Sequence, residues 1–315
     1  MKKISFIVAA YNVENYIERC LDSILNQKYN HEIIVVNDDS ADETLRILKK
    51  YESRIKLVCN KQNEGLSFTR NIGVKHATGD YIWFIDGDDF IENNILAKLD
   101  EHLNQDYDVL GFKAQRVWDS GKKVEINLPV FDGLSGEKAL EIYILNKVTF
   151  ETSWAYAYKR EFWVENNFQF AIGLFHEDYG LTPLVLLKAK TVKALDFIAY
   201  NYYQSNNNSI MRSNDYEKAK KKHFDRLAHA EYYCRILKGY KINSQLKSVF
   251  GLFIIWPLLK NLKELNQEDQ RRFLKRFRQK GIHRLIPASN LKNIIKRNIL
   301  LLNPKIFIKA MGLND

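Results

Sequence analysis

The chain has 315 residues, enough for a full α/β domain plus a smaller one, and its 46% hydrophobic content marks a folded globule rather than a disordered chain. Its net charge of +10 is unevenly spread: residues 216–315 carry 23 Lys and Arg against 7 Asp and Glu, net +16, while residues 1–215 are net −6. Cys20, Cys59 and Cys234 are too few and scattered for a disulfide framework or a zinc site and fit a reducing cytosol, and no apolar run is long enough to span a membrane.

Met1 to Lys3 followed by ISFIVAA superficially imitates a signal peptide. The apolar run is short and ends at Tyr11-Asn12, so Ile4 to Ala10 is read as a first buried strand. Glu14 to Gln27 has helical spacing, with Ile17, Leu21, Ile24 and Leu25 on one face. His31 to Val36 is a second buried strand ending at Asn37-Asp38-Asp39-Ser40, and Asp42 to Tyr51 is the next helix. Ile55 to Cys59, Ser67 to Ala77 and Tyr81 to Ile85 continue as strand, helix and strand, followed by a helix over Glu92 to Asn104. Strands alternating with helices across short links predict a mostly parallel sheet covered on both faces.

Asp86-Gly87-Asp88-Asp89 crowds three carboxylates just past the fourth strand. Open α/β sheets bind ligands outside the carboxyl ends of their strands. A hard divalent cation, Mn2+ or Mg2+, would relieve the mutual repulsion of such an Asp-x-Asp motif and bridge it to substrate phosphates. The competing reading is a solvated acidic turn capping the next helix, with Asp89 as a cap. Tyr11, Asp38 and the Asp86/Asp88 pair all fall at strand C-terminal ends, which favours a ligand site.

Three segments in this order, IVAAYNVENYIERCLDSILNQ, EIIVVNDDSADET and NEGLSFTRNIGVKHATGDYIWFIDGDD, give residues 1 to about 110 a resemblance to family 2 glycosyltransferases of the GT-A fold. FHEDYG at 175–180 and YNYYQSNNNSIMR at 200–212 fit the same pattern, and nothing diagnostic is found after Asp215. The resemblance implies a GT-A catalytic domain over 1–212, with a nucleotide-binding half at 1–110 and an acceptor half at 111–212, and a basic helical C-terminal domain over 213–315. It implies an inverting, metal-dependent enzyme that moves one hexose or N-acetylhexosamine from a UDP-sugar to a glycan acceptor, of the kind that builds bacterial surface glycans. One departure is plain: where the family ends its second strand with two Asp residues, this chain has Asn37, and the acidic pair is shifted to Asp38-Asp39.

The resemblance places Ala9, Tyr11, Asn12, Asp38, Arg70, Asp86 and Gly87 around the nucleotide sugar. Tyr11 can stack on a base or pack on the neighbouring helix, and Asp38 can accept from a uracil ring N–H. Arg70 and Lys61 can offset phosphate charge or serve as ordinary surface cations. Asp86 is expected at the ribose and a metal-bound water, and Asp88 at the metal. The acceptor hydroxyl needs a base, and His176-Glu177-Asp178 offers one. These acids precede an apolar helix predicted over Leu181 to Ala189, with Thr182 as N-cap and Pro183 as first helical residue. The resemblance makes Asp178 the base and Glu177 an acceptor or structural partner; the plain alternative is that both merely satisfy a helix end.

Tyr200 to Arg212 reads as a strand and then a polar loop, either a lid in which Ser209 and Arg212 reach the diphosphate or an inter-domain linker. Alternation at Trp154, Tyr156 and Tyr158 suggests another strand. Beyond it, helices are predicted over Tyr216 to Lys238, Ser244 to Leu265, Gln267 to Gln279 and Asn290 to Leu302. In the last, Ile294, Ile295, Ile299, Leu300 and Leu301 alternate with Lys292, Lys296 and Arg297, a pattern suited either to an anionic membrane surface or to packing with the basic face in water. The expected location is cytoplasmic, with peripheral contact on the inner face of the membrane as one role for 216–315. Two other classes fit less well. A sugar-nucleotide nucleotidyltransferase would need a Gly-rich phosphate loop where Ala9-Ala10-Tyr11-Asn12 stands, and a nucleic-acid binder acting through the basic helices would leave the carboxylates unexplained, so no nucleic-acid partner is expected.

Overall fold

The computed structural model describes residues 1–204, 215–260, 262–288, 291–302 and 304. They fall into two compact units: Met1–Gly173 with Glu177–Asn207, and Leu174–His176 with Asn208–Asp315.

The first unit is built on a mixed sheet. β1 (Ile4–Ala10), β2 (His31–Asn37), β3 (Lys56–Cys59) and β4 (Tyr81–Asp86) pair in parallel in the order β3-β2-β1-β4. Each link carries a helix: α1 (Ile17–Leu25), α2 (Thr44–Lys49) and α3 (Leu66–His76). β1 is buried along its whole length and β4 along all but its last residue, as strands covered on both faces must be. The expected alternation and mostly parallel sheet are therefore present, with boundaries shifted by a few residues. Gly73 lets α3 come close to β1, since a Cβ there would lie 2.2 Å from Ile7 Cγ2.

Register fixes where chemistry can occur. Ala10 pairs with Asn37, Asn37 with Cys59 and Ala9 with Asp86, so three strands deliver Tyr11, Asp38 and Asp86 to one sheet edge. Beyond β4 the sheet continues through β9 (Tyr156–Lys159), antiparallel to both β4 and β6 (Val109–Trp118). β10 (Val192–Gln204) runs parallel to β6 and carries the two-residue β5 (Phe90–Ile91) on its far side. β7 (Lys123–Ile126) pairs with β6, and β8 (Phe131–Leu134) with β10. α4 (Ile95–Leu103), α5 (Gly136–Leu145), α6 (Arg160–Glu165) and α7 (Glu177–Lys188) complete this unit.

Two local expectations are corrected. The strand predicted from alternation at Trp154 starts only at Tyr156, because Ser153–Ala155 is a 3-10 turn; all three aromatics are buried in the core. The helix predicted from Leu181 begins at Glu177, which puts Pro183 inside it rather than at its first turn. A run of nine buried residues, Tyr179 to Leu187, supplies packing that outweighs the helix-interior penalty of proline.

The second unit is helical: α8 (Tyr216–Ile236), α9 (Ser244–Lys260), α10 (Gln267–Gln279) and α11 (Leu291–Leu302), close to the expected spans. Leu227, Tyr233, Phe250, Ile254, Leu258, Phe273, Phe277 and Ile282 form its core. Buried Asp269 accepts from the Tyr216 hydroxyl at 2.8 Å and lies 3.1 Å from Lys220 Nζ, tying α10 to α8. Among the described residues, no helix is long and apolar enough to cross a membrane.

At the opposite end of the sheet from Asp86, Glu32 gathers the start of β1 and the turn before β4. It accepts from Ser5 Oγ at 2.5 Å, Lys3 Nζ at 2.9 Å, Thr78 N at 2.7 Å and Gly79 N at 3.0 Å. Partial burial works to raise the Glu32 carboxyl, but the hydrogen bonds from Ser5, Lys3 and Thr78 outweigh it and bring it from 4.5 down to about 2. A carboxylate held lower in the folded than in the unfolded chain stabilises fully above its unfolded value, and that stability is lost as pH falls through the folded one. Glu32→Gln should therefore cost about 1 kcal/mol at pH 7, discounted for solvent screening, and the gap to wild type should close between pH 4.5 and 2; urea melts across that range measure it.

Candidate active site

The sheet edge is shaped first by backbone. Asn12 and Asp39 adopt left-handed conformations, φ +52° and +57°, where Asn and Asp are the tolerated non-glycine residues. Asn12 Oδ1 accepts from Ala41 N at 2.8 Å, and Asn12 N donates to Ser40 Oγ at 3.1 Å. Ser40 Oγ in turn donates to Asn37 Oδ1 at 2.7 Å. Asn37, the departure from the family pattern, thus serves the loop: its buried amide oxygen takes the Ser40 hydroxyl.

Asp38 is buried and accepts from Asn60 Nδ2 at 2.6 Å, Glu64 N at 2.9 Å and Gly65 N at 2.8 Å. Its carboxylate folds the 60–65 loop back onto the end of β2. Tyr11 is 43% exposed, so its ring is accessible at this edge, as a base-stacking aromatic requires. Lys61 is exposed.

Arg70, on α3, is 1% exposed. Nη2 donates to Asp86 Oδ1 at 2.8 Å, and Nη1 to Asp178 Oδ1 at 2.8 Å and Glu177 Oε1 at 3.0 Å. Phe170 lies beneath the guanidinium, 5.2 Å from Cζ to ring centroid. This excludes the reading of an ordinary surface cation: the charge is buried and hydrogen-bonded to three carboxylates. Burial alone would lower the guanidinium; Asp178, Asp86 and Glu177 outweigh it and hold it above its ordinary value. Burial raises Glu177, with the charge of Asp178 adding to it, and Arg70 opposes. Asp178 is also raised, first by burial, against Arg70. Both acids are the first residues of α7, where the helix dipole favours their ionised form.

The β4–β5 turn carries the remaining acids. Gly87 N donates to Ala9 O at 3.0 Å, and a Cβ on Gly87 would stand 2.8 Å from that oxygen, so only glycine fits here without displacement. Asp88 is pushed up to about 6 by burial and then by the charge of Asp86. Asp89 is not a helix cap: it is fully buried and accepts from the Tyr200 hydroxyl at 2.6 Å and Tyr203 N at 2.7 Å, while α4 is preceded by Asn94. Tyr200, stacked on Trp154 at 4.6 Å, also takes a hydrogen bond from Asp86 N at 3.2 Å. Arg19 lies 4.0 Å from the Tyr203 ring and 4.6 Å from Phe90, and its Nη2 donates to Asp88 O at 2.8 Å. Arg19, Tyr200 and Tyr203 were not singled out by sequence reasoning; a cation at the i+3 position from Tyr16 on α1 gave no local sign of its distant carbonyl partner.

Asp86, Glu177 and Asp178 set three carboxylates against the one guanidinium of Arg70, and Asp88 adds its charge beside Asp86 with Arg19 as its cation. That excess of negative oxygen fits a hard divalent cation. Among the described residues, no three or more His, Cys, Asp or Glu side chains are grouped to hold a metal alone. His176 precedes the acids with φ +61°, and burial, aided by nearby cationic side chains, lowers its imidazole to about 3. Ser209 and Arg212 lie outside the described residues.

A parallel β3-β2-β1-β4 half, an antiparallel continuation and an acidic turn at the end of β4 define a GT-A-like fold. The model of glycosyl transferase family 2 matches residues 5–164, just over half of the chain, and the chain belongs to that family. Its relatives include the uncharacterized glycosyltransferase EpsJ of Bacillus subtilis, 33% identical over 66% of this chain and 62% of EpsJ. The poly(ribitol-phosphate) beta-N-acetylglucosaminyltransferase TarS of Staphylococcus aureus is 32% identical over 64% of this chain and 35% of TarS. The chain thus spans about three-fifths or less of these relatives. The crystal structure of S. aureus TarS 1-349 in complex with UDP-GlcNAc is similar with a TM-score of 0.67 at 21% identity, covering 98% of this chain and 85% of that one. The mannosyltransferase PcManGT of Pyrobaculum calidifontis, in complex with GDP-Man and Mn2+, has a TM-score of 0.53 at 15% identity, covering 99% and 84%. At these identities the structural likeness establishes the fold.

Arg70→Met would leave three carboxylates facing one another without their cation. Breaking a buried ion pair on one side costs about 3–5 kcal/mol, so the melting temperature should fall by roughly 10 °C. Adding Glu177→Gln and Asp178→Asn to Arg70→Met should recover part of the loss, and calorimetry of Arg70→Met, of the two acid substitutions together and of all three combined measures that non-additivity.

Proposed function

We propose that the protein is an inverting glycosyltransferase that moves one hexose or N-acetylhexosamine from a UDP-sugar to a hydroxyl of a glycan acceptor. The observation that carries this is the Arg70 guanidinium bridging Asp86, beside the acidic turn, to Glu177 and Asp178 at the start of α7. Asp86 lies on one side of this shared cation and Glu177 and Asp178 on the other, which supports separate donor and acceptor roles for them. Family membership and the UDP-GlcNAc complex of TarS support the choice of donor class.

In this reaction the Tyr11 face takes the uracil, and Asp38 accepts its ring N–H while holding the 60–65 loop. Asp86 and Asp88 would hold Mn2+ or Mg2+, which when bound neutralises charge on the diphosphate. Asp178 removes the proton from the acceptor hydroxyl. The freed oxygen forms a bond to the anomeric carbon as the bond to the phosphate oxygen breaks in line, and UDP leaves with the electron pair. Attack from the face opposite the phosphate inverts the anomeric centre. Arg70 favours the ionised form of Asp178 against the burial that raises it, and Glu177 shares that cation and orients the acceptor. Ser209 and Arg212 are proposed to reach the diphosphate. The 1–212 catalytic and 213–315 helical division belongs to the same reading, with surface polysaccharide, lipo-oligosaccharide or adhesin glycans as the acceptor class.

Asp178→Asn preserves shape and hydrogen bonding but cannot take a proton, so transfer should fall by about 10²–10⁴-fold with affinity for UDP and manganese nearly intact. Asp88→Ala should do the reverse, removing metal-dependent UDP binding while the fold persists. Titration calorimetry paired with UDP-release assays separates the two, and equal binding in Asp88→Ala and wild type would remove the metal assignment.

The basic helical unit adds a peripheral role. Exposed Ile294 and Ile295 share α11 with Lys296 and Arg297, which suits an anionic bilayer surface. Co-sedimentation with vesicles containing anionic lipid should be strong at low salt and weaken as salt rises, and indifference to anionic lipid would remove this role.

A further inference from the structure

α1 fastens the acidic turn by its main chain. Cys20 Sγ donates to Asp86 O at 3.8 Å, and Arg19 Nη2 donates to Asp88 O at 2.8 Å. Farther along, Ser23 Oγ accepts from Ile91 N at 3.2 Å, and Gln27 Nε2, just past the end of the helix, donates to Glu92 O at 2.9 Å. Residues 19, 23 and 27 recur every four positions, the spacing of one helix face. Each of these bonds goes to the backbone of the 86–92 segment, and none takes a carboxylate. All of these groups lie in the sheet-based unit.

Arg19 meets the turn where the acids stand. Its Cζ lies 4.0 Å from the centroid of the Tyr203 ring, 4.6 Å from that of Phe90 and 5.8 Å from that of Tyr16, so three aromatic rings box the guanidinium. Attraction to the ring faces holds such a planar cation in one orientation, which the compact ammonium of a lysine does not reproduce. Two of the rings belong to the structure that Arg19 grips. Phe90 follows the acids in β5, and Tyr203 fixes Asp89 through its own N–H at 2.7 Å. Cation, rings and turn therefore support one another. We infer that Arg19 is a positioning residue for Asp88: through the Asp88 carbonyl it fixes the backbone of the turn, so that the carboxylate keeps its place and stays open to a divalent cation. The role of Asp88 rests on the proposed reaction, whereas the hold of α1 on the turn rests on the structure alone. Groups that orient a metal-binding side chain without touching the metal are typically worth about 10- to 100-fold in metal affinity.

Four variants of the full chain test this. Arg19→Ala removes both the hydrogen bond and the boxed cation, and Arg19→Lys keeps the charge and a donor without the planar fork. Tyr203→Leu removes the nearest ring and keeps the N–H that binds Asp89, and Tyr203→Phe keeps the ring. Titration calorimetry of UDP with manganese should show affinity about 10- to 100-fold weaker in Arg19→Ala, a smaller loss in Arg19→Lys and Tyr203→Leu, and wild-type affinity in Tyr203→Phe, while UDP affinity without metal stays the same throughout. Hydrogen exchange across residues 86–92 should quicken in Arg19→Ala, with β2 and β3 unchanged as the control for folding. Unchanged exchange at 86–92 overturns the hold on the turn. Faster exchange there with unaltered manganese-dependent affinity overturns the positioning role, and so does an equal loss of UDP affinity with and without manganese. If Arg19→Ala does not fold, Tyr203→Leu measured against Tyr203→Phe decides the same question. If wild-type protein binds UDP no more tightly with manganese than without it, the metal assignment of Asp88 fails, and the exchange comparison then decides the hold on the turn by itself.

Discussion

One buried guanidinium organises the candidate site. Arg70 reaches Asp86, sixteen residues ahead of it, and Glu177 and Asp178, more than a hundred residues on. A cation this buried is costly unless its hydrogen-bonding groups are met, and a carboxylate pair this close is costly unless something separates its charges. Each solves the other's problem, so the end of β4 and the start of α7 are stable in these positions only together. The solution is incomplete in sign, because the acids outnumber the cation. The remaining negative potential is of the sign that attracts a cation.

The surrounding backbone is built to keep these groups in place. Asp38 closes the 60–65 loop through three donors, Asn37 and Ser40 lock the residues after β2, and Asp89 fastens the acidic turn to β10 through Tyr200 and Tyr203. Asp89 shows that neighbouring acids can have unrelated jobs. It faces the core and is raised well above the usual carboxylate range by burial and by Asp88 and Asp86, whereas Asp88, one residue away, is only part-buried.

How much could be read in the residues depends on how far apart the interacting groups lie in the chain. β1, β2 and β4 were legible because a strand covered on both faces must be a continuous apolar run. The placement of Tyr11, Asp38 and Asp86 at one edge came from that alone. α7 was misplaced because Thr182-Pro183 has the local form of a helix start, and only tertiary packing of Tyr179 to Leu187 carries the helix through it. Asp89 was misjudged and the carboxylate partners of Arg70 were missed for one reason: burial of a charged side chain is invisible until its distant partners are known. β6, β7 and β8 were not read at all; β7 and β8 are four-residue strands with exposed faces that lack a decisive pattern. The role of Asn37 became clear only through Ser40, whose hydroxyl turns the amide oxygen toward the loop.

Gly73 bears on all of this from a position that touches none of the acids. It lies three residues past Arg70 on α3, about 4.5 Å farther along the helix axis, at the place where that helix meets Ile7 of β1. The missing side chain sets the clearance between helix and sheet, and the helix carries the guanidinium with it. Any larger residue at 73 would act as a shim, tilting α3 outward and withdrawing the cation from three anions at once. The electrostatics of the site are thus calibrated by a steric gauge, one hydrogen atom thick, set nearly a full helical turn away.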